Sequence, residues 1–321
     1  MASLIGLLRL FKLPFIYLST PAPDTFKDQI ILITGGNAGV GFEAARHFAR
    51  IGASRIILGV RSIEKGQAAK EAINTESPNT DIDIWEVDLD SFSSVKAFAV
   101  KCEKQLSRLD VAIMNAGIAA SKYEVTSDGW ERTLQVNVLS TALLSSFLLP
   151  QLAKSAKAYP GSFHHLTIVS SDAHLQAKFS ERNEPNLLES LNTEASFSGN
   201  PFDRYAVSKL LDAYIAIELA NLIPEIDGRP SVIINYATPG FCKSELLAKT
   251  GEPPLALRIA EWLLARTPEY GALCYIDAAC KGLESQGKYL NHQIVYPYVS
   301  CLRDDRLEAD RAPQTRSFDH E

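Results

Sequence analysis

After Pro21 and Pro23, the chain alternates between short runs of apolar, often β-branched residues and longer stretches in which apolar residues recur at helical spacing. Short apolar runs of this kind predict buried strands, and the stretches between them predict the crossover helices of βαβ units. The six predicted strands are Gln29–Thr34, Arg55–Val60, Ile82–Asp88, Val111–Asn115, His165–Ser170 and Val232–Ala237. With a seventh strand near Tyr289, the pattern predicts a single doubly wound α/β domain with a central, mostly parallel seven-stranded sheet and helices on both faces.

Two irregular segments interrupt the alternation. His174–Arg204 is a long polar insertion, and Phe241–Pro268 contains two adjacent prolines. Loops of this length in a compact domain usually serve a site, so their apolar side chains are candidates for a substrate pocket. These candidates are Phe179, Phe197, Phe202, Phe241, Leu246, Leu247 and Trp262. We predict three parts of the chain: an apolar N-terminal segment, 1–23, the domain itself, 24–300, and a charged C-terminal tail, 301–321.

Composition narrows the classes of partner. The 321 residues carry a net charge of -6 and no block rich in Lys and Arg, so we do not expect a nucleic-acid partner. The five cysteines are scattered without paired spacing, which favours reduced thiols and a cytoplasmic protein. We interpret His164, His165 and His174 as core or surface histidines, because no H-E-x-x-H motif or carboxylate cluster accompanies them. No metal site is therefore expected.

The N-terminal segment Leu4–Leu18 is strongly apolar but is interrupted by Arg9, Lys12 and Pro14. It is too short and too charged to span a bilayer, which takes about 20 apolar residues. Two alternatives stay open. Either residues 4–18 form an interfacial helix that makes peripheral contact with a membrane, or they pack on the body of the domain or on a partner.

The first predicted strand ends in a glycine-rich turn, Thr34–Gly41, that leads directly into a helix. Gly35, Gly39 and Gly41 allow the backbone to turn tightly and to approach a ligand closely. The helix N-terminus offers free N–H groups and a positive dipole end to a pyrophosphate. The turn, including Asn37 and Val40, therefore predicts dinucleotide binding, and Gly39, Gly41 and Ala44 also fit the alternative dinucleotide spacing.

Further candidates for cofactor contacts stand at the ends of the next three strands. Arg61 directly follows the second strand, at the position where NAD-binding domains carry an acidic residue. A guanidinium there, assisted by Lys65, favours the 2′-phosphate of NADP. Ligands bind at this carboxyl edge in open α/β sheets. The other candidates at that edge are Asp88 and Leu89 after the third strand, and Asn115, Ala116 and Gly117 after the fourth.

Downstream, Ser170 and Ser171 close the fifth strand, and Tyr205 and Lys209 begin a helix. Residues at positions i and i+4 share one helix face, so Tyr205 and Lys209 can act on one ligand. A free tyrosine has a pKa of ~10, and a nearby ammonium favours its phenolate. The pair therefore predicts a tyrosine that exchanges protons, although a Y-x-x-x-K spacing alone often occurs by accident.

Taken in order, these residues resemble the short-chain dehydrogenase/reductase family over about residues 28 to 295. The resemblance rests on the turn at Thr34–Gly41, on Asn115–Gly117, and on Asn137, Ser171, Tyr205, Lys209 and Pro239-Gly240. It implies a Rossmann-type fold, with Tyr205 as general acid/base and Lys209 holding the nicotinamide ribose and lowering the tyrosine pKa. It also implies that Ser171 orients the substrate oxygen, that Asn137 anchors a water joining Lys209 to solvent, and that Pro239-Gly240 lies at the cofactor.

Ser171 and Tyr205 are 34 positions apart, far more than is usual in the main branch of that family. With Arg61, this spacing resembles the retinol-dehydrogenase-like branch and the similar reductases of fungal secondary metabolism. We expect NADP(H)-linked interconversion of a carbonyl and an alcohol on a lipophilic small molecule. The alternatives are a non-redox step, such as a cyclisation or dehydration, and an NADP-binding interaction or sensor protein. A homodimer through the predicted helix Tyr205–Leu222 also stays open, because its apolar face can equally pack on its own sheet.

Overall fold

A computed structural model describes residues 16–159, 164–198, 201–226, 228–243 and 264–296. Eight strands form one sheet, and two further short strands form a separate hairpin. In chain order the strands are β1 Ile30–Thr34, β2 Arg55–Val60, β3 Asp81–Glu86, β4 Val111–Met114, β5 His165–Val169, β6 Glu225–Ile226, β7 Arg229–Pro230, β8 Ile233–Thr238, β9 Tyr289–Asn291 and β10 Ile294–Tyr296.

The helices connect the strands as crossovers. The α-helices are α1 Gly39–Arg50, α2 Ile63–Glu76, α3 Phe92–Gln105, α4 Thr141–Ala158, α5 Leu187–Leu191, α6 Glu194–Ser198, α7 Pro201–Leu222 and α8 Pro268–Ala278. A π-helical segment, Leu134–Ser140, leads directly into α4. Short 3₁₀ helices are Asp172–Gln176, Ser180–Asn183 and Leu283–Ser285.

The large sheet has the strand order β10-β9-β8-β5-β4-β1-β2-β3 and is parallel except for the β9–β10 pair. The chain builds from β1 outward to β3, and β4 then returns to the other side of β1. This reversal opens a crevice between the carboxyl ends of β1 and β4, which is where ligands bind in doubly wound sheets. The residues that follow β1 and β4 are therefore well placed to form a site.

The central strands are apolar throughout because helices cover both faces of the sheet. Successive side chains of a strand point to opposite faces. In β1, Leu32 packs in the cluster that includes helices α3, α4 and α7, whereas Ile31 and Ile33 pack in the cluster that includes α1, α2 and α8. All three are fully buried, and each contributes roughly 1.5 to 3 kcal/mol of hydrophobic stabilisation.

Within the described residues, one helix, Leu134–Ala158, is long and apolar enough by composition to cross a membrane. In this fold 56% of its most apolar 18-residue stretch is buried inside the protein. The helix packs through Leu144, Leu148 and Leu152 in the cluster of the α3, α4 and α7 face. Its apolar composition is therefore accounted for by the core.

The predicted fold class is confirmed, and the predicted strands differ from the observed ones by one or two residues at their ends. The seventh predicted strand is β9, next to β8. An eighth, β10, was not predicted. It forms an antiparallel edge hairpin with β9, and His292 and Gln293 in the turn have positive φ angles of 54° and 66°.

The two irregular segments differ in how far they are described. The insertion after Ser171 is not an extended loop but a series of short helices, from Asp172–Gln176 to α6. Of the segment Phe241–Pro268, residues 244–263 lie outside the described residues. Of the apolar segment Leu4–Leu18, only the end is described, and Leu18 is buried there with its N–H donating to the Tyr270 hydroxyl at 2.7 Å. The domain boundaries stay predictions.

Candidate active site

The glycine-rich turn lies at the carboxyl end of β1 and leads into α1. Gly35 and Gly39 have positive φ angles of 67° and 57°. Residues with a side chain are strained in this conformation, whereas glycine is not. A Cβ on Gly39 would meet no atom within 4 Å, so the turn faces open space in front of the helix. This opening suits a ligand that approaches the backbone closely.

The N-terminus of α1 has no side-chain cap, unlike those of α2, α3 and α8. Ser62, Ser91 and Thr267 each accept a hydrogen bond from a first-turn N–H in α2, α3 and α8. In α1 the N-cap is Ala38, which makes no such bond, and no acidic residue lies in the first turn. The helix therefore keeps N–H donors and its positive dipole end for an anion, so the site fits a dinucleotide pyrophosphate.

Asn115 and Ala116 join the ends of β4 and β1. The Asn115 amide donates to the Thr34 carbonyl at 2.8 Å, and the Ala116 N–H donates to the Thr34 hydroxyl at 3.0 Å. A Cβ on Gly41 would collide with the Asn115 amide, which explains why the turn has glycine there. Asn115 thus shapes the crevice, and the neighbouring Ala116 and Gly117 keep it open.

Positive charge lies at the end of β2, as predicted. The Arg61 side chain is 65% exposed and lies 3.5 Å from the Asp90 carboxylate, which Arg132 also binds at 2.9 Å. Lys65 is exposed in the first turn of α2, where its N–H bonds to Ser62. Because Arg132 neutralises Asp90, Arg61 can leave it at little cost and meet an anionic ligand.

Asp88 and Leu89 follow β3 on the same edge. The Asp88 carboxylate accepts a hydrogen bond from the Asp90 N–H at 3.0 Å, a local turn that leaves its other oxygen available. The Leu89 side chain is buried in the core. Only the backbone of Leu89 can therefore contact a cofactor.

The two serines after β5 have different environments. Ser170 is buried, and its hydroxyl donates to the Lys209 carbonyl at 2.7 Å. Ser171 is half-buried and caps the following 3₁₀ helix by accepting a hydrogen bond from the Ala173 N–H at 3.2 Å. A serine that accepts this bond still has its own O–H to donate, so Ser171 is the serine that can bind a substrate oxygen.

Tyr205 and Lys209 lie one turn apart on α7. Tyr205 is half-buried and Lys209 is almost fully buried, with its Nζ 6.0 Å from the centre of the Tyr205 ring. The Lys209 ammonium donates to the Val169 carbonyl and to the Asp212 carboxylate, both at 2.9 Å. A Cβ on Gly117 would lie 3.4 Å from Nζ, so the predicted loop and the predicted lysine do meet.

Asp212 is a member of this cluster that the sequence analysis missed. Burial works against the charge of Lys209, but attraction to Asp212 and Tyr205 outweighs it and raises the lysine pKa. Burial raises the pKa of Asp212 to about 6, although the Lys209 ammonium opposes this. The signal in the sequence was an acidic residue three positions after the lysine, on the same helix face.

Asn137 lies in the π-helical segment, and its amide is occupied by protein partners. Nδ2 donates to the Ile118 carbonyl at 2.8 Å and to the Ser208 hydroxyl at 2.9 Å, while Oδ1 accepts from the Ile118 N–H. Both amide hydrogens are therefore used within the protein. Asn137 fixes the loop after Gly117 beside α7, and its predicted role toward a water stays a prediction.

The turn at Pro239-Gly240 follows β8. Gly240 has a φ angle of 75°, and a Cβ there would lie 3.2 Å from the buried Arg266 guanidinium. Arg266 also pairs through its backbone with Phe241, whose carbonyl accepts from the Arg266 N–H at 2.8 Å. Arg266, which the sequence did not indicate, therefore packs against the Pro239-Gly240 turn and stabilises it.

The 3₁₀ helix after Ser171 is anchored through Asp172 and His174. His174 is buried, its Nδ1 lies 2.5 Å from the Ser171 carbonyl, and burial lowers its pKa. The neutral ring thus donates from Nδ1 to Ser171. Asp172 accepts hydrogen bonds from Tyr289 at 2.5 Å and Asn291 at 2.9 Å. These contacts hold Ser171 in place, and of the two predicted alternatives, a core or a surface histidine, they make His174 a core histidine.

The predicted pocket side chains are only partly brought together. Phe179 and Phe197 are buried in the protein, so they support the insertion rather than face a substrate. Phe202 is 48% exposed beside Tyr205, and Leu175 is 47% exposed on the 3₁₀ helix after Ser171. Phe241 is half-buried next to the Gly240 turn. Leu246, Leu247 and Trp262 lie outside the described residues.

The insertion docks on the loop before the π-helical segment through Asn192. Its Oδ1 accepts from the Glu131 N–H at 2.6 Å, and its Nδ2 donates to the Gly129 carbonyl at 2.9 Å. The Tyr123 hydroxyl donates to the Asn192 carbonyl at 2.8 Å. These bonds hold the insertion next to the site.

Comparison with known proteins agrees with this geometry. The family model for short chain dehydrogenases matches residues 29–162. The short chain dehydrogenase/reductase mfmJ of Annulohypoxylon moriforme is 39% identical over 88% of this chain and 81% of its own length. The chain belongs to the short-chain dehydrogenase/reductase family. The short chain dehydrogenase atnD of Emericella nidulans is similar too, at 38% identity over 91% of this chain and 92% of its own length.

The predicted family, with its likeness to fungal reductases, is thus confirmed. A solved short chain dehydrogenase from Escherichia coli CFT073, complexed with NADPH, shares the fold with a TM-score of 0.63. It is 24% identical, and the match covers 85% of this chain and all of that one. As a member of this family, the protein is an oxidoreductase that uses a nicotinamide cofactor on a small-molecule carbonyl or alcohol.

Proposed function

We propose that the protein is an NADP(H)-dependent reductase that interconverts a ketone or aldehyde with an alcohol on a lipophilic small molecule, with Tyr205 as the general acid/base. The observation that carries this proposal is the pairing of a half-buried Tyr205 with the buried ammonium of Lys209, which donates to the Val169 carbonyl two residues before Ser171. The Lys209 ammonium lies 6.0 Å from the centre of the Tyr205 ring, where it attracts the negative charge that develops on the tyrosine oxygen as its proton leaves. A tyrosine in that setting can give up and regain a proton.

Each group of the chain has one role in the reductive direction. When bound at the glycine-rich turn, a nicotinamide cofactor would supply the hydride for the carbonyl carbon. Tyr205 gives its hydroxyl proton to the carbonyl oxygen, which completes the alcohol. Ser171 donates a hydrogen bond to the same oxygen and fixes its position, and Lys209 stabilises the phenolate that Tyr205 leaves. In the oxidative direction the same groups take the proton back.

The preference for NADP rests on Arg61 and Lys65. Both are exposed at the carboxyl end of β2, and the carboxylate nearest to Arg61 is already bound by Arg132. An acidic residue at the Arg61 position would accept a ribose hydroxyl and repel a phosphate, whereas a guanidinium binds phosphate well. The NADPH complex of the similar bacterial structure agrees with this proposal.

A lipophilic substrate is supported by the apolar surface around the site. Leu175 and Phe202 expose nearly half of their surface on the two segments that flank Ser171 and Tyr205. Exposed apolar groups at a pocket mouth favour an apolar ligand and exclude water from the reacting groups. Because the relatives mfmJ and atnD are fungal short chain dehydrogenases, we propose an intermediate of secondary metabolism as the substrate.

We also propose a cytoplasmic location. Cys102, Cys242, Cys274 and Cys280 are free thiols, which suits a reducing compartment. Leu18 packs on the domain, so a membrane contact would use residues 4–15. Sedimentation with anionic vesicles tests whether the chain contacts a membrane there. Deletion of residues 1–15 should abolish any vesicle binding of the full chain, and binding that survives would place the contact elsewhere.

The proposed function is tested by fluorescence titration with NADPH and NADH, followed by turnover of a panel of aromatic and polycyclic ketones. NADPH should bind more tightly, and Tyr205→Phe should lower kcat by about 10²- to 10⁴-fold without loss of NADPH binding. Tyr214→Phe, on the same helix, is the matched control and should keep activity. NADPH binding without turnover of any carbonyl or alcohol would favour a non-redox step or a sensor, and equal Kd values for both nucleotides would contradict the NADP preference.

A further inference from the structure

Asp212 forms a buried ion pair with Lys209 that the proposed reaction steps do not yet use. Both side chains are nearly or fully inaccessible, and Lys209 Nζ lies 2.9 Å from Asp212 Oδ2. The second carboxylate oxygen, Oδ1, is buried and has no hydrogen-bond partner within the described residues. A buried carboxylate that leaves an oxygen unpaired is costly, so a stability role alone explains it poorly.

The position of the pair along α7 separates three charges. Tyr205 lies one turn before Lys209, and Asp212 lies one turn after it. Seven residues of α-helix span about 10 Å, so the carboxylate stays away from the tyrosine while it touches the lysine. Asp212 can therefore compensate the ammonium without repelling a phenolate at close range.

The ammonium is also held in a fixed direction. Of its three N–H donors, one bonds to the Val169 carbonyl at the end of β5 and one to Asp212. The third is left for the side of the Gly117 loop, where a Cβ would lie 3.4 Å from Nζ. Two fixed acceptors thus leave a single donor, and it faces the crevice where a cofactor would lie.

No other charged group shares this task among the residues that the structure describes. Lys209 interacts electrostatically with Asp212 and Tyr205, and Asp212 interacts with Lys209 alone. The elements packed against α7 bring other titratable side chains, none of which is hydrogen-bonded to either partner. These side chains are Asp172, His174, Tyr236, His165, Lys154, Lys157 and Glu194.

We propose that Asp212 is a positioning residue for the reaction: it keeps Lys209 charged in a dry site and aims its remaining N–H at the cofactor crevice. This inference rests on the proposed function, because it concerns the lysine that acts on Tyr205. Without the carboxylate, burial alone would favour the neutral amine. A neutral Lys209 would no longer favour the phenolate of Tyr205.

The test compares Asp212→Asn, which keeps the shape and removes the charge, with Asp212→Glu, which restores a charge. Asp277→Asn is the matched control, because Asp277 pairs with Lys281 at 3.0 Å near the end of α8, outside the site. The readouts are NADPH affinity and the pH profile of kcat/KM. Asp212→Asn should bind NADPH but lose about 10-fold or more in kcat at pH 8, with the alkaline limb of its profile moved to lower pH.

The outcomes separate the two proposals. A return of the limb toward wild type in Asp212→Glu, with no change in Asp277→Asn, supports the role of Asp212. A wild-type profile in Asp212→Asn overturns it while the proposed function stands, whereas a wild type with no turnover removes the proposed function itself. If Asp212→Asn does not fold, the wild type decides by side-chain NMR of ¹⁵N-lysine, assigned with Lys209→Arg: an ammonium that persists to pH 10 supports the proposal, and a neutral amine at pH 8 overturns it.

Discussion

At the scale of single residues, two neighbouring serines show how burial assigns a role. Both follow β5, and both have a hydroxyl that could serve a site. The Ser170 hydroxyl is used inside the protein, as a donor to the Lys209 carbonyl, whereas the half-buried Ser171 keeps its donor. From the sequence, Ser171 was predicted as the substrate-binding serine by resemblance alone. The hydrogen bonds give the physical reason for preferring it to Ser170.

Exchange of each serine for alanine should therefore have different effects. Ser171→Ala should lower kcat/KM by about 100-fold, since it removes a donor to the developing oxyanion, and loss of its cap on the 3₁₀ helix should cost about 1 kcal/mol of unfolding free energy as well. Ser170→Ala should keep most activity and lose about 1 kcal/mol of unfolding free energy, because it removes a buried hydrogen bond. Steady-state kinetics and urea unfolding of the two variants check this, and the opposite pattern would exchange the assigned roles.

Cofactor choice is also decided by single residues. Arg61→Ala should weaken NADPH binding by about 10- to 100-fold, the loss of one charge-assisted hydrogen bond to phosphate. The Kd for NADH should stay as it is, because NADH lacks the 2′-phosphate and so serves as the internal control. Fluorescence titration of the variant measures both. An equal loss for the two nucleotides would show that Arg61 is structural.

At the scale of elements, the strands that helices cover on both faces were the most predictable. β1, β2 and β5 are continuous apolar runs, and continuous burial leaves that trace in the sequence. β10 has three residues that are exposed or half-buried, so it leaves no such trace. The π-helical turn around Asn137 and the short helices of the insertion depend on tertiary contacts, which residue patterns do not encode.

The same limit explains which site residues were missed. Tyr205 and Lys209 belong to a motif, but Asp212 has the sequence appearance of an ordinary solvated acid on a helix. Only the packing of α7 shows that it is buried against the lysine. Arg266 is distant in sequence from the turn after β8, so its support of Gly240 is likewise visible only in the fold.

Docking of the insertion should control substrate binding. Asn192→Ala removes two hydrogen bonds to the Gly129–Glu131 loop, worth roughly 1 to 3 kcal/mol together. We expect faster proteolysis within residues 172–198 and a higher KM for the ketone, with an unchanged Kd for NADPH. Asn186→Ala, an exposed asparagine of the same insertion, is the control and should behave like wild type. Unchanged proteolysis and KM in Asn192→Ala would contradict the docking role.

At the scale of the whole molecule, buried histidines should make the fold sensitive to acid. Burial lowers the pKa of His47, His174 and His292 below the ordinary value of 6.5. The unfolded chain therefore binds protons first, so their contribution to stability is present above pH 6.5 and is lost as the pH falls toward the folded values. Burial raises the pKa of Asp212 to about 6 and also raises the pKa of Asp277, so these carboxyls take up protons in the folded chain and oppose the histidines.

Urea unfolding between pH 7.5 and pH 5 measures this effect. The contribution of the three histidines should fall with pH below 6.5, by up to 1.36 kcal/mol for each unit of pKa shift per group, as an order of magnitude. His47→Gln, which is remote from Ser171 and Tyr205, removes one of these contributions, so the unfolding free energy of the wild type minus that of the variant should decrease as the pH falls. A difference that stays constant between pH 7.5 and pH 5 would contradict the linkage.

The proposed function depends on hydride transfer from the nicotinamide to a carbonyl carbon, with Tyr205 as the donor of the proton to the oxygen. The most direct measurement uses NADPH deuterated at C4 of the nicotinamide, with mass spectrometry of the alcohol formed from a ketone that the wild type accepts. We predict one deuterium at the carbinol carbon with the wild type and with Tyr214→Phe, and almost no alcohol with Tyr205→Phe. Alcohol formed without deuterium from either face of the cofactor, or formed equally well by Tyr205→Phe, would contradict the account.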